Sequence, residues 1–134
     1  MHVVIMGSGR TGSRLAAMLD EANHDVTVID WDIRAFRRLP NTFSGTTFMG
    51  NGVDEDILRA AGIEGADVFV ATTSGDNRNV MASQIAKQVF EVPKIISRIK
   101  DPIRAEIYRD LGYDVDCRTT RGADAVLALL EPES

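Results

Sequence analysis

Short apolar runs alternate with amphipathic segments along the whole chain, and this alternation predicts the fold. The runs are rich in Val, Ile and Phe, as strands are, whereas the segments between them repeat apolar residues at helical spacing. Strands that alternate with helices are typical of an α/β protein with a mostly parallel sheet. The pattern predicts strands at residues 3–6, 26–30, 46–49, 67–72, 94–99 and 114–117 and helices at residues 12–22, 33–39, 54–61, 77–90, 102–111 and 121–130.

These elements make up one complete doubly wound unit. With 134 residues, 44% of them hydrophobic, the chain can form one domain with a proper core. No internal repeat or linker divides it. We therefore predict a single domain over residues 1–134, a Rossmann-like α/β fold of three layers. Its six parallel strands are expected in the order 3-2-1-4-5-6.

Two of the predicted helices carry expectations about packing. In the helix at 77–90, four apolar residues recur at helical spacing, which predicts a stripe that faces the sheet. They are Met81, Ile85, Ala86 and Val89. The last helix, at 121–130, has more apolar surface than a terminal helix normally exposes. We expect it to pack either on its own sheet or against another surface.

A glycine-rich turn directly follows the first strand and opens the first helix, as in dinucleotide-binding sites. The turn reads Gly7-Ser8-Gly9-Arg10-Thr11-Gly12. Gly7 suits a tight turn, Gly9 lets a phosphate approach the backbone, and Gly12 allows the helix to pack closely on the strand. The free N–H groups at the helix start attract an anion. The motif alone is weak, because other nucleotide binders such as methyltransferases also have it.

A carboxylate at the end of the second strand strengthens this interpretation. Asp30 lies about 20 residues beyond the turn, the spacing at which an acidic side chain accepts hydrogen bonds from ribose hydroxyls. Together with Asp32, it would repel a 2′-phosphate, so NADP is disfavoured. The alternative for Asp30 is an acidic residue that only serves the turn. Trp31, between the two carboxylates, is included in the predicted binding site.

The loops after the later strands complete the predicted site, because ligands of open parallel sheets bind beyond the carboxyl ends of the strands. Asn51, with Gly52 beside it, offers an amide that suits an adenine edge. Thr72 and Thr73 offer hydroxyls at the wall of the pocket, and the alternative is that this stretch only caps the helix at 77–90. Arg98 lies near the end of the fifth strand.

Two charged residues near the predicted site have two interpretations each. Arg10, inside the glycine turn, can reach terminal phosphates and distinguish ligands by phosphate number, or it can be a solvent-exposed loop arginine. Asp76 lies in the loop after the fourth strand, just before the helix at 77–90, and capping of that helix is favoured over a role in the pocket.

Composition excludes several other classes of function. A net charge of −5 argues against attraction to nucleic acid or to an anionic membrane surface. Cys117 is the only cysteine, and with His2 and His24 it does not form a zinc site, so no metal is predicted. No apolar run approaches the roughly 20 residues needed to span a bilayer, and no signal peptide precedes the first strand. The sequence therefore predicts a cytoplasmic protein.

Taken together, these motifs resemble the N-terminal nucleotide-binding domain (TrkA-N or KTN) of RCK proteins, the regulators of potassium conductance. These include the TrkA and KtrA subunits of potassium uptake systems. The resemblance covers essentially the whole chain. It is carried by the glycine turn, Val28-Ile29-Asp30, Gly50-Asn51-Gly52, residues 54–63, Ala66-Asp67 with the strand to Thr72, Asp76, Asn79 and Ile96-Ser97-Arg98.

The resemblance implies a ligand sensor and not an enzyme. Family members bind NAD(H), ATP or ADP in this cleft, form dimers and often octameric rings, and act on a membrane ion-translocating partner. Arg10 matches a position near the terminal phosphate, and Arg98 matches an arginine near the phosphates or the dimer contact. A helix at the position of the last predicted helix crosses to the neighbouring subunit. The resemblance therefore predicts a regulatory subunit at the inner face of the membrane, held there by its partner and without direct insertion.

The chain departs from the family pattern in two ways. The family usually has Gly-Asp-Ala where this chain has Gly50-Asn51-Gly52, which removes a charge from the adenine side. Many members continue into a C-terminal RCK domain, which we expect to be absent from residues 1–134. Two alternatives to the sensor are an NAD-dependent oxidoreductase fragment and a vestigial scaffold or dimerisation domain.

Overall fold

The structure is a computed structural model, and it describes residues 1–131. Its centre is one parallel sheet in which the strands have the order β3-β2-β1-β4-β5-β6. The sequence prediction of a Rossmann-like sheet with strand order 3-2-1-4-5-6 is therefore confirmed. The last three residues of the predicted 1–134 domain lie outside the described residues. The strands are β1 His2–Met6, β2 Asp25–Asp30, β3 Thr46–Met49, β4 Val68–Ala71, β5 Lys94–Arg98 and β6 Asp114–Asp116.

Within residues 1–131, four α-helices lie between strands and a fifth follows β6: α1 Arg10–Glu21, α2 Glu55–Ala60, α3 Asp76–Gln88, α4 Pro102–Asp110 and α5 Arg118–Leu130. A short 3-10 helix, Ile33–Arg38, stands where the sequence predicted an ordinary helix. It ends before Pro40, because the residue preceding a proline favours extended backbone. The prediction for the last helix was also wrong at its start, which lies at Arg118 and not at Arg121. Gly122 lies inside this helix, since a helix tolerates one glycine at a cost of about 1 kcal/mol.

Both faces of the central strands β1, β2 and β4 are buried, as is usual in parallel sheets. Successive residues of β1 point to opposite faces. Val4 and Met6 join a core cluster with Leu58 of α2, whereas Val3 and Ile5 join a second cluster on the α1 side. Helices therefore cover both faces, and the carboxyl ends of the strands are left free to form a site.

The face that α3 turns to the sheet differs from the predicted stripe. Ala86 is buried, but Met81 is 53% exposed and Val89 is 48% exposed, so the prediction was wrong for both. The buried positions of the helix include Asn79 and Ser83, which are polar. Hydrogen bonds satisfy their side chains, and satisfied polar groups can occupy a core face.

The last helix, α5, does not pack on the sheet of its own chain. None of its residues is buried, and Leu129 and Leu130 are 86% and 75% exposed. The expectation that α5 packs on its own sheet is therefore wrong. The other alternative, contact with another surface, stays a prediction. Neither α5 nor any other helix within residues 1–131 has the length and apolarity to cross a membrane.

Candidate functional site

A cleft of about 320 Å³ opens at the carboxyl ends of the strands. Eleven of the predicted site residues line it: Gly7, Gly9, Arg10, Thr11, Asp30, Trp31, Asn51, Gly52, Thr72, Thr73 and Arg98. Two others, Ser8 and Gly12, do not. The sequence prediction did not assign the remaining lining residues, which are Met6, Ile29, Gly50, Ser74, Arg78 and Arg118. The topology thus brings the predicted loops together around one space.

The three glycines of the turn have different surroundings. Gly7 has φ +108°, a conformation that favours glycine, and a Cβ there would lie 3.1 Å from the Thr72 backbone. A Cβ on Gly12 would collide with the carbonyl oxygen of Gly7. A Cβ on Gly9 would meet no atom within 4 Å, and Gly9 faces the cleft. Gly7 and Gly12 thus serve the fold, whereas Gly9 leaves space for a ligand.

The start of α1 presents free backbone donors to the cleft. The first bond of the helix runs from the Ser13 N–H to the Gly9 carbonyl, at 2.9 Å. No side chain caps this end, and no acidic residue lies in its first turn. The amides of the first turn are therefore available to an anion, which the helix dipole also favours.

Ser8 supports the turn from behind and does not face the cleft. Its side chain is fully buried, and its Oγ lies 2.8 Å from the Ser13 Oγ and donates to the Ala35 carbonyl at 3.2 Å. The Ser8 N–H donates to Asp30 Oδ2 at 2.8 Å. These contacts tie the turn to the start of α1 and to the segment after β2.

Asp30 serves the turn and still faces the cleft. Its Oδ2 accepts from the Ser8 N–H, and its Oδ1 accepts from the Asp32 N–H, both at 2.8 Å. Because each carboxylate oxygen can accept a second hydrogen bond, capacity remains for ribose hydroxyls. The two interpretations of Asp30 from the sequence are therefore compatible with each other.

An aromatic ring and a guanidinium meet across the mouth of the cleft. Trp31, after β2, is 69% exposed, and the guanidinium carbon of Arg78 on α3 lies 5.5 Å from the centre of its ring. This is the geometry of a cation–π contact. The sequence prediction missed Arg78 because it placed the residue in a helix, and the first turn of that helix faces the cleft. Its signal was its place just after the β4 loop.

On the β3 side, the loop at Asn51 and Gly52 forms a tight wall. The Asn51 Oδ1 accepts from the Val53 N–H at 3.2 Å, so its NH₂ group is left as a donor. A Cβ on Gly52 would collide with the Met6 side chain, which is buried. A glycine is therefore required beside Asn51 by close packing.

On the β4 side, buried Asn79 fixes the loop that carries the predicted threonines. Its Oδ1 accepts from the Thr73 N–H at 2.9 Å and from the Thr73 hydroxyl at 2.7 Å. Its NH₂ donates to the carbonyls of Thr73 and Arg98, at 3.0 and 2.9 Å. One amide side chain thus joins the β4 loop to the end of β5. Neighbouring Thr72 also lines the cleft.

Asp76 does not cap α3 as predicted. The N-cap is Gly75, and Asp76 is the first residue of the helix. Its carboxylate accepts from the backbone N–H groups of Lys100 and Asp101, at 2.9 and 3.3 Å. The prediction was wrong because the loop after β5 lies close enough to take both carboxylate oxygens.

The cleft is strongly positive although the chain is acidic. Four arginines line it, from α1, α3, β5 and α5, against one carboxylate, that of Asp30. The chain as a whole carries a net charge of −5. Burial, followed by the charge of Arg118, lowers the pKa of Arg98 from its ordinary value. The arginines are Arg10, Arg78, Arg98 and Arg118.

This arrangement of glycine turn, carboxylate and strand order coincides with a family match. Residues 3–117 match the TrkA-N domain. The chain belongs to the TrkA-N domain family. The match runs from β1 through β6 and includes the glycine turn and Asp30, whereas Arg118 and the rest of α5 lie beyond it.

Relatives of this TrkA-N domain include named potassium uptake proteins. It is 47% identical over 132 residues to the Trk system potassium uptake protein TrkA of Streptomyces coelicolor, covering 98% of this chain and 59% of that protein. It is 37% identical over 114 residues to a TrkA homolog of Methanothermobacter thermautotrophicus, covering 85% of this chain and 52% of the homolog. The chain thus spans little more than half the length of these relatives.

Solved TrkA-N and RCK structures share the fold. The TrkA-N domain of the inner membrane protein ybaL from Escherichia coli superposes with a TM-score of 0.86 at 23% identity, covering 97% of this chain and 96% of that one. The GsuK structure bound to ADP has a TM-score of 0.81 at 25% identity, covering 97% of this chain and 34% of that one. The GsuK channel bound to NAD has a TM-score of 0.80 at 25% identity, covering 96% and 23%.

Proposed function

We propose that this TrkA-N domain is the nucleotide-sensing part of a regulator of potassium uptake. The observation that carries the proposal is the cleft itself, in which free amides of α1, one carboxylate and four arginines surround one space. Such a site suits a phosphorylated ligand with free ribose hydroxyls. The names of the TrkA relatives and the nucleotide-bound GsuK structures support the same function.

The ligand we propose is an adenine nucleotide, ATP or ADP, or else NAD(H). Phosphates would bind the first-turn amides of α1 beside Gly9, and Asp30 would accept from the ribose hydroxyls. Trp31 offers an exposed face to the base, and Asn51 offers its NH₂ group. NADP is disfavoured because its 2′-phosphate would meet the Asp30 carboxylate.

A sensor requires that ligands bind two conformations with different affinity. ATP and ADP can meet this condition, because ATP has a terminal phosphate that ADP lacks. The arginines of the cleft would then contact this phosphate in ATP alone. Arg10 starts α1 on the glycine-turn side and is exposed, so it can reach a terminal phosphate. We propose Arg10 as the residue that separates ATP from ADP.

Catalysis is not part of the proposal. Apart from Asp30, the residues that line the cleft include no carboxylate, histidine, cysteine, lysine or tyrosine. Asp30 already accepts two backbone hydrogen bonds, which hold its carboxylate in the turn. No residue pair of this cleft therefore favours the oxidoreductase alternative.

The proposed partners are a second copy of the chain and a membrane potassium transporter or channel. In α5, Leu129 and Leu130 expose apolar surface that a partner subunit would cover, giving a dimer or a larger ring such as an octamer. The regulator would then lie at the cytoplasmic face of the membrane, held there by the transporter and not by direct insertion. The acidic net charge makes nucleic acid an unsuitable partner.

A thermal-shift panel tests this function. ATP, ADP, AMP, NAD, NADH and NADP are added separately, and a specific ligand raises the melting temperature with concentration as mass action requires. We expect stabilisation by adenine nucleotides or NAD(H) and little by NADP. A flat panel would support the scaffold alternative. Stronger stabilisation by NADP than by NAD would contradict the role given to Asp30.

A further inference from the structure

The contact between Trp31 and Arg78 joins the two sides of the cleft. Trp31 directly follows β2, and Arg78 lies in the first turn of α3, which follows β4. Because β2 and β4 are the two neighbours of β1, these strands lie about 10 Å apart, with the glycine turn between their ends. The guanidinium carbon nevertheless lies 5.5 Å from the centre of the indole ring. The two side chains therefore reach towards each other across the glycine turn.

This contact is the one interaction that holds the two side chain ends among the described residues. Neither the indole nor the Arg78 guanidinium has a hydrogen bond or an ion pair within residues 1–131. Trp31 is 69% exposed, and Arg78 is exposed as well. Cation–π contacts at exposed sites are weak, and exposed side chains change rotamer within nanoseconds. The contact can therefore break and form again by side-chain rotation alone.

The backbone on both sides of the contact is held in place. The Asp30 carboxylate accepts from the Asp32 N–H at 2.8 Å, a bond that spans Trp31. On the other side, Asn79 follows Arg78 in α3 and is fully buried. Its NH₂ group donates to the last carbonyl of β5 at 2.9 Å. The side chains can thus move while the segments that carry them stay fixed.

We propose that Trp31 and Arg78 form a gate across the nucleotide cleft, which is closed by their contact and opens when Arg78 swings off the ring. This proposal rests on the proposed nucleotide function and adds control of ligand entry to it. The closed gate withholds one face of the indole from a base. An exposed cation–π contact leaves such a gate open about a sixth to a third of the time. Because only the open fraction admits a ligand, the contact slows association about threefold to sixfold.

The first experiment measures the association rate of ATP with the whole chain by stopped-flow fluorescence, after calorimetry has established binding. Trp31 is the only tryptophan, so its emission reports on the gate itself. Arg78→Gln removes the cation from the contact, and we expect it to raise the association rate about threefold to sixfold. Loss of a cation that only attracts the ligand would have the opposite effect, because ATP is an anion.

Arg10→Gln is the matched control. Arg10 is also exposed and lines the cleft, but it has no cation–π contact among the described residues. Both variants therefore remove one positive charge from the same cleft, and only Arg78→Gln opens the gate. In about 0.5 M salt, where the screening length is only about 4 Å, the lost charge affects association little. Arg10→Gln should not raise the association rate, and a rise equal to that of Arg78→Gln would overturn the gate.

A second measurement uses the protein without ligand. Acrylamide should quench the fluorescence of Trp31 more strongly in Arg78→Gln, because the guanidinium no longer covers one face of the ring, and equal quenching would count against the gate. The melting temperature of Arg78→Gln should stay within about 3 °C of the wild-type value, because exposed substitutions change stability little. Faster association together with a larger fall in melting temperature would trace the rate to a loosened fold and overturn the gate.

These outcomes separate the gate from the proposed function. If calorimetry shows no binding of any nucleotide to the wild-type protein, the proposed function fails and the gate fails with it. If ATP binds and Arg78→Gln leaves the association rate unchanged or lowers it, the gate alone is overturned. Binding without any change in Trp31 fluorescence would overturn it as well, because the contact would then lie away from the path of the ligand.

Discussion

Replacement of Gly12 by alanine tests whether the close approach of α1 to the glycine turn stabilises the fold. The added Cβ would overlap the carbonyl oxygen of Gly7 and lie 3.0 Å from both the Gly7 carbonyl carbon and the Thr72 Cγ2. Gly7 has little room on its Thr72 side, since a Cβ there would lie 3.1 Å from the Thr72 backbone, and its φ is +108°. The helix must therefore move away from the sheet.

The magnitude follows from two opposing effects. Overpacking against backbone costs about 3 kcal/mol at the upper end of its usual range. Alanine is favoured over glycine inside a helix by about 1 kcal/mol, which offsets part of that cost. We expect Gly12→Ala to lose about 2 kcal/mol of stability, which lowers the melting temperature by about 6–8 °C for a chain of this size.

Gly9→Ala is the matched control, measured by thermal unfolding with circular dichroism and by nucleotide titration. A Cβ on Gly9 would meet no atom within 4 Å, and the φ of Gly9, −76°, is ordinary. Gly9→Ala should therefore lose at most about 1 kcal/mol of stability, because alanine is a poorer N-cap residue than glycine. Its methyl group would instead occupy the phosphate position and weaken nucleotide binding about tenfold or more. The reasoning is refuted if Gly12→Ala unfolds at or above the wild-type temperature.

Four further predictions follow from single side chains. Burial, and after it the neighbouring Tyr108, raises the pKa of Tyr113 in the folded protein. The phenol therefore ionises first in the unfolded chain, and stability should fall as the pH rises above about 10. Urea unfolding of Tyr113→Phe should show a weaker dependence on pH in this range. Trp31 is the only tryptophan and is 69% exposed, so saturating ATP should reduce acrylamide quenching of its fluorescence, and unchanged quenching would contradict its place in the site. Leu129→Glu in α5 should shift sedimentation towards the monomer. The control Met18→Glu replaces another exposed apolar side chain, 58% exposed on α1, and should not. Arg10→Ala should weaken ATP more than ADP by calorimetry, and equal losses would reject its phosphate-sensing role.

Hydrophobic pattern predicted the sheet well because a buried parallel strand needs an uninterrupted apolar run. β1 was expected at 3–6 and lies at His2–Met6, and β4 was expected at 67–72 and lies at Val68–Ala71. The rule that ligands bind beyond the carboxyl ends of strands then selected most of the cleft, because the strand order alone brings those loops together.

The failures have a different origin. Asn79 and Ser83 are buried on α3 because their hydrogen bonds are satisfied, a condition that no pattern of apolar residues reveals. Asp76 bonds to a loop distant in sequence and not to its own helix. Arg118 was missed because the last helix was predicted to begin at residue 121, whereas it begins at Arg118, directly after β6 and Cys117. In each case a contact between distant segments decided the outcome.

The same position of Arg118 connects the cleft to the exposed surface of the protein. Arg118 lines the cleft and is also the first residue of α5, the helix that has no buried residue. The core holds the other helices against the sheet, since each of them contributes at least one buried residue, such as Ala16 of α1 and Ala105 of α4. A ligand that binds Arg118 therefore acts on the element that packing constrains least. A ligand shifts a conformational equilibrium only if it binds the two states with different affinity. A ligand contact with Arg118 that differs between two positions of α5 would therefore couple the cleft to the apolar surface of this helix.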